Sequence, residues 1–323
     1  MGNEENGVVE AELKPENGAE MACVAPAVKP GAYSARARRR LWWLAIWAAV
    51  VVSGFGKPLY QLVRFAAGSD LYSHILLIPF ISGYLVWVKR RSLALDPEPA
   101  RAAALIPLIA GFGLLGGFWL AVRSGWKPPM ADYLAIMVYS FLALLAAGGF
   151  FFVGTKSLRA AAFPAAFLIF MAPFPTGVLD WIERFLQHHS ADVACGMFAL
   201  SGMPVLRSGT ELRLPGFKLE VAPECSGIHS TLVLFITSVV AGYLLLRSPW
   251  RRVLLSAFVI PLALLRNGFR IFTIGQLCVQ VSPDMINSYI HRKGGPIFFV
   301  LSLIPFFLLL LYLSRGERRK RKN

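Results

Sequence analysis

The sequence predicts an all-α polytopic membrane protein with about eight transmembrane helices, whose outer loop carries an amphipathic helix and a short β-hairpin. Three observations predict it. Hydrophobic residues make up 56% of the 323 positions and charged residues only 16%, against about 25% charged in soluble domains. Apolar stretches of about 20 residues recur, each long enough to cross a hydrocarbon core. Finally, most Lys and Arg residues sit in short connections and tails beside those stretches. Lipid offers the backbone no hydrogen-bond partner, so such stretches are read as helices.

The elements follow in order. Residues 1–35 form a polar tail with Glu4, Glu5, Glu10, Glu12, Glu16 and Glu20. Too few apolar residues are present to build a core, and the tail is read as disordered and cytoplasmic. It has no apolar stretch of the kind a secretory signal peptide needs. The membrane domain runs over 36–314, with spans near 41–56, 71–88, 103–122, 132–153, 158–173, 226–246, 252–274 and 296–314. A basic tail, 315–323, closes the chain.

Orientation follows from charge. Arg36, Arg38, Arg39 and Arg40 precede the first span. Lys89, Arg90, Arg91 and Arg101 fall between the second and third, and Lys156 and Arg159 between the fourth and fifth. Arg247, Arg251 and Arg252 fall between the sixth and seventh, and the last cluster begins at Arg315. The positive-inside rule places these connections and both termini in the cytoplasm of a cell-membrane protein. The loop 174–225 then lies outside. Within it, 178–200 has an amphipathic helical pattern suited to a membrane surface. Glu211–Leu214 and Phe217–Val221 alternate around Pro215-Gly216 as a hairpin.

The net charge of +15 is accounted for by this distribution and does not mark a nucleic-acid binder. The four cysteines, Cys23, Cys195, Cys225 and Cys278, show no metal-ligand spacing, so neither metal nor cofactor is expected. Cys195 and Cys278 read as small apolar thiols.

Three polar segments interrupt the apolar pattern at what the topology makes the outer face. The first is Glu224-Cys225-Ser226-Gly227-Ile228-His229. A thiol in the first turn of a helix gains thiolate character from the helix dipole. Ser226 and Gly227 leave room beside it for a substrate backbone. The second is Arg266-Asn267-Gly268-Phe269-Arg270. A charge inside a span costs about 2.5–3.5 kcal/mol on insertion scales and marks function by default. Arg270 can stabilise an oxyanion, while Arg266 and Asn267 share its helical face. The third is His291-Arg292-Lys293-Gly294-Gly295. For a general base both His229, one turn beyond Cys225, and His291 qualify on placement.

Together these segments resemble the exosortase/archaeosortase family of multipass membrane cysteine proteases and transpeptidases. The matching stretches are Cys225-Ser226-Gly227-Ile228, Asn267-Gly268-Phe269-Arg270-Ile271, and His291 followed by Gly294 or Gly295 and Phe298. Tyr72-Ser73-His74 and Met171-Ala172-Pro173-Phe174-Pro175 resemble further family segments. The resemblance implies Cys225 as nucleophile, Arg270 as orienting or transition-state arginine, and His291 as base. It also implies, as substrate, the C-terminal tail of an exported protein: a Pro-Glu-Pro-like motif (PEP-CTERM), a hydrophobic helix and a basic cluster. The product would pass to an acceptor nucleophile or to water, in a setting often linked to extracellular polysaccharide. Membrane lipids are the other expected contact. Two readings from other classes remain: a transporter or channel with Arg266 and Arg270 along an anion path, and a non-catalytic scaffold for polysaccharide export.

Overall fold

A computed structural model describes residues 35–89, 100–221, 226–282 and 295–319. Among the described residues five helices are long and apolar enough to cross a membrane: α4 (Arg101–Arg123), α5 (Met130–Phe152), α9 (Ile228–Leu245), α10 (Pro249–Gln280), and α11 (Gly295–Arg319) over Gly295–Glu317. The number rises to seven if each of two bent pairs is one span. The chain is therefore an all-α polytopic membrane protein.

The described helices give five to seven spans where the hydropathy pattern gives eight, and the breaks explain the difference. The first apolar stretch is α1 (Ala35–Gly54), which bends by 67° into an amphipathic α2 (Gly56–Ala67). The second is a 3-10 turn, Ser73–Leu76, followed by α3 (Ile78–Lys89), too short to count as a full crossing. The fifth is broken into α6 (Thr155–Ala160), α7 (Ala162–Phe167) and the 3-10 turn Leu168–Met171. That last segment turns by 87° into α8 (Thr176–Leu200). Pro173 and Pro175 cannot donate backbone hydrogen bonds and stop the helix there. Asp132, in the first turn of α5, then accepts from the Thr176 backbone N–H at 2.6 Å and its hydroxyl at 3.1 Å, so one carboxylate sits at two helix N-termini.

α5 is the centre of the larger core. More than half of its apolar window is buried (56%), against 6% for its neighbour α4. Leu134, Val138, Phe141 and Leu144 of α5 pack with Val51 and Phe55, with Leu62 and Ala66, with Phe167 and Met171, and with Leu232 of α9. The outward face of α4 exposes Ile106 and Ile109, as a lipid-facing helix should. Small residues let the helices approach. A Cβ on Gly148 would overlap the indole of Trp47, whose Nε1 donates to the Leu144 carbonyl at 2.9 Å. Gly148→Ala is expected to lower stability by about 1–3 kcal/mol, the usual cost of overpacking. A thermal melt of the purified protein in detergent would measure it.

A second core joins α8, α10 and a three-stranded antiparallel sheet of β1 (Leu206–Ser208), β2 (Glu211–Leu214) and β3 (Phe217–Glu220), in the order β1-β2-β3. β2 and β3 turn at Pro215-Gly216, with Leu214 opposite Phe217, and Gly216 at φ +74° supplies the left-handed turn residue. Leu212, Leu214 and Leu219 point inward to Phe198 and Ile271. Within 178–200 the two halves of α8 differ: Ser190, Ala191, Ala194 and Phe198 are fully buried where α8 packs on α10, while Val178 and Trp181 of the expected apolar face stay exposed. Cys195 and Cys278 are free thiols.

The third core closes α9, α10 and α11 through Leu234, Leu255, Val259, Phe306 and Leu310. Its far end is tied by Glu317, which accepts from the backbone N–H groups of Arg247 at 2.9 Å and Ser248 at 2.8 Å. Those donors stand at the N-terminus of α10, where a carboxylate is favoured.

Candidate active site

The site is built where the N-terminus of α9 meets the middle of α10. α9 begins at Ile228, three residues beyond Cys225, so the helix proper starts later than a first-turn position for Cys225 requires. Cys225 and His291 lie outside the described residues. Gly227 caps the helix with φ +70°, a left-handed conformation that costs a non-glycine residue roughly 1–2 kcal/mol. A Cβ there would sit 3.3 Å from Asn267 Oδ1 and 3.4 Å from Arg266 Nη2. Glycine is thus favoured here by its backbone conformation, and a side chain would also crowd the Asn267 and Arg266 groups.

Arg266 and Asn267 form a clamp on this turn. Asn267 Nδ2 donates to the Ser226 carbonyl at 3.3 Å. Arg266 Nη2 donates to the Gly227 carbonyl at 3.3 Å and to Thr231 Oγ1 at 3.0 Å. Thr231 Oγ1 donates in turn to the Gly227 carbonyl at 2.8 Å, which also accepts from Ser230 Oγ at 3.0 Å. Ser226 Oγ accepts from the Ile228 N–H at 3.4 Å. Ser226, Arg266 and Asn267 are all buried. The result is a rigid Ser226–Gly227 turn held by charge-assisted and neutral hydrogen bonds in a low-dielectric setting.

Arg270, one turn further along α10, has a different position. It lines a cleft of about 740 Å³ together with Ser226, Gly227, His229, Asp70, Glu183 and Gly295, among others. Five parts of the chain supply these walls: the connection after α2, then α8, α9, α10 and α11. Arg266 and Asn267 turn to the α9 cap, and Arg270 opens to the cleft. Arg266 does not line the cleft, so the two arginines do not flank one anion path there.

His229, exposed on the cleft wall, is in place. His74 is buried, with Nδ1 3.0 Å from the Leu71 carbonyl, and serves the turn after α2. His189 lies 3.2 Å from Asp192, and Asp192 also pairs with Arg207. That group joins α8 to β1 and takes no part in the cleft. Sequence reasoning missed two cleft residues, Asp70 and Glu183. Asp70 directly precedes the Leu71-Tyr72-Ser73-His74 segment, which was a usable signal. Glu183 reads only as part of a helix's polar face until α8 is packed inward. No group of three or more His, Cys, Asp or Glu suited to a metal ion occurs among the described residues.

The fold and the cleft define a multipass membrane protein with an arginine-lined cleft beside the start of α9. The sequence profile of the transmembrane exosortases (Exosortase_EpsH) matches residues 61–308, and the chain belongs to that family. Membership supports a membrane transpeptidase or protein-sorting role in general terms. No curated protein and no solved structure matches this chain.

Proposed function

We propose that this exosortase cleaves the C-terminal sorting tail of an exported protein through Cys225 and passes the product to an acceptor or to water. The observation that carries this reading is the convergence of Ser226–Gly227, Arg270 and Gly295 on one cleft. Covalent geometry brings the remaining groups near it. Cys225 adjoins Ser226, about 3.8 Å away between Cα atoms, and His291 can lie at most about 14 Å from Gly295. The first N–H groups of α9 lack intrahelical acceptors and give its start a positive potential that favours a thiolate.

The steps balance as follows. His291 takes the Cys225 thiol proton, and the sulfur attacks the scissile carbonyl carbon. Arg270 stabilises the resulting oxyanion. The C–N bond breaks, and the leaving amine takes the proton from His291. The thioester is then attacked by an acceptor amine or by water, whose proton goes to His291, and the thiolate departs. The reading places the site on the outer face of the cell membrane with both termini inside.

Co-expression with a tagged protein bearing a Pro-Glu-Pro-type tripartite tail tests this. Wild type is expected to remove the tail, and Cys225→Ala and His291→Ala are expected to abolish removal at equal membrane levels. Product mass separates hydrolysis from transfer. His229→Ala, with its imidazole on the cleft wall, is the comparison for the base: loss of activity there with activity retained in His291→Ala would reassign it. Equal processing by Cys225→Ala would sink the nucleophile, and no processing by wild type would favour the transporter or scaffold readings.

A further inference from the structure

At the end of the bundle opposite the Ser226–Gly227 turn, α10 and α11 leave a groove of about 360 Å³ lined by Trp250, Arg251, Tyr312, Leu313, Arg315 and Gly316. None of these residues belongs to the cleft. Arg251 is fixed: its Nη1 donates to the Leu313 carbonyl at 2.6 Å and lies 4.0 Å from Glu317. Its guanidinium is 5.6 Å from the centre of the Trp250 ring. Gly316 lets it lie against α11, since a Cβ there would meet Nη1 at 3.2 Å and Nη2 at 3.4 Å. Arg315 stands exposed on the same rim and makes no hydrogen bond or ion pair with any described residue.

Trp250 and Tyr312 are largely exposed, at 59% and 75%. They continue an apolar surface that includes Val253, Leu308 and Leu311. Exposed aromatic rings at the end of an apolar helix surface mark the level of lipid headgroups. Both Glu317 oxygens already accept backbone N–H groups, so the carboxylate is committed to the α10 start rather than to the groove. A groove with two guanidinium groups above an aromatic and acyl-facing floor suits a phosphodiester with attached hydrocarbon chains. Basic pockets between transmembrane helices take anionic headgroups in this way.

We propose that the α10–α11 groove binds the phosphate headgroup of an anionic phospholipid between Arg251 and Arg315. The bound lipid bridges the two helices beside the Glu317 tie, and it stabilises the folded chain by mass action.

The test uses the full-length protein in a neutral detergent. Its thermal midpoint is followed as phosphatidylglycerol, phosphatidylcholine or soluble glycerol phosphate is added at matched concentration. Phosphatidylglycerol is expected to raise the midpoint by several degrees, with little change from the other two. Arg315→Gln, a change at an exposed position, is expected to lose most of that shift. Arg101→Gln, an exposed arginine at the start of α4, is expected to keep it. Equal shifts in wild type and Arg315→Gln, or equal shifts from the anionic and zwitterionic lipids, would overturn the site. A shift from glycerol phosphate as large as that from the lipid would overturn the lipid assignment in favour of a soluble phosphate. The readout is independent of peptide processing, so it stands or falls apart from the proposed reaction.

Discussion

Gly268→Leu is expected to leave little folded protein in the membrane, and Gly268→Ala to lower its melting temperature markedly. The reason is the close contact between α8 and α10. A Cβ at position 268 would lie 2.5 Å from Val193 Cγ1, 2.7 Å from Val193 Cβ and 3.2 Å from the Ala194 backbone nitrogen. The last contact is with backbone, so rotating a side chain cannot relieve it. Two turns along the same face, a Cβ on Gly275 would meet Phe198 Cζ at 2.5 Å and Leu214 Cδ1 at 3.0 Å. Small residues allow this backbone approach where the hydrophobic effect between helices is weak. Overpacking costs about 1–3 kcal/mol when neighbours can yield, and more when they cannot. The proposed site suffers too, because Asn267 and Arg270 flank Gly268 and α8 carries Glu183 to the cleft. Val193→Ala should rescue only a small part of Gly268→Ala in a double-mutant cycle, since it removes Cγ1 but leaves the Cβ at 2.7 Å and the backbone contact. Fluorescence size-exclusion profiles and melts of the four proteins would measure this. A Gly268→Ala protein as stable as wild type would refute the close approach.

The second large effect separates two arginines one helical turn apart. Arg270→Ala is expected to reduce tail processing by about 10²–10³-fold, the usual loss when one oxyanion donor is removed, with little change in melting temperature. Arg266→Ala is expected to do the reverse in emphasis. It loses the hydrogen bonds to the Gly227 carbonyl and Thr231. Bonds to charged groups contribute about 1.5–3 kcal/mol each, so the melting temperature should fall. Processing should fall with it, because the Ser226–Gly227 turn loses its clamp. Arg270→Lys keeps the charge without the planar donor fork and should recover only part of the rate. An anion-path transporter predicts instead that both arginines matter equally and that Cys225→Ala is silent. Processing rates and melts on the same preparations decide between these outcomes.

Hydropathy alone made the fold class legible, because apolar stretches of membrane-crossing length admit only helices or closed barrels. The Arg266–Arg270 segment was also visible, as polar residues where lipid disfavours them, while Cys225 and His291 lie outside the described residues. The span count was not legible, because hydropathy does not register a bend. The 3-10 turn before α3 and the break between α6 and α7 lie inside stretches that read as continuous apolar spans, whereas the Pro173–Pro175 turn falls where the fifth span ends.

What the sequence by itself determined is the helical membrane class, the family, and the residue types expected to bear chemistry. The tertiary structure decided which way each polar side chain of a single helix turn faces. Arg266, Asn267 and Arg270 are neighbours on α10, yet two hold the α9 cap and one opens to the cleft. Periodicity assigns residues to a helical face, but the partner packed against that face is chosen by long-range contacts. Here the glycines of α10 admit α8, and α8 brings Glu183 to the cleft from a polar face that the local pattern alone would give to water.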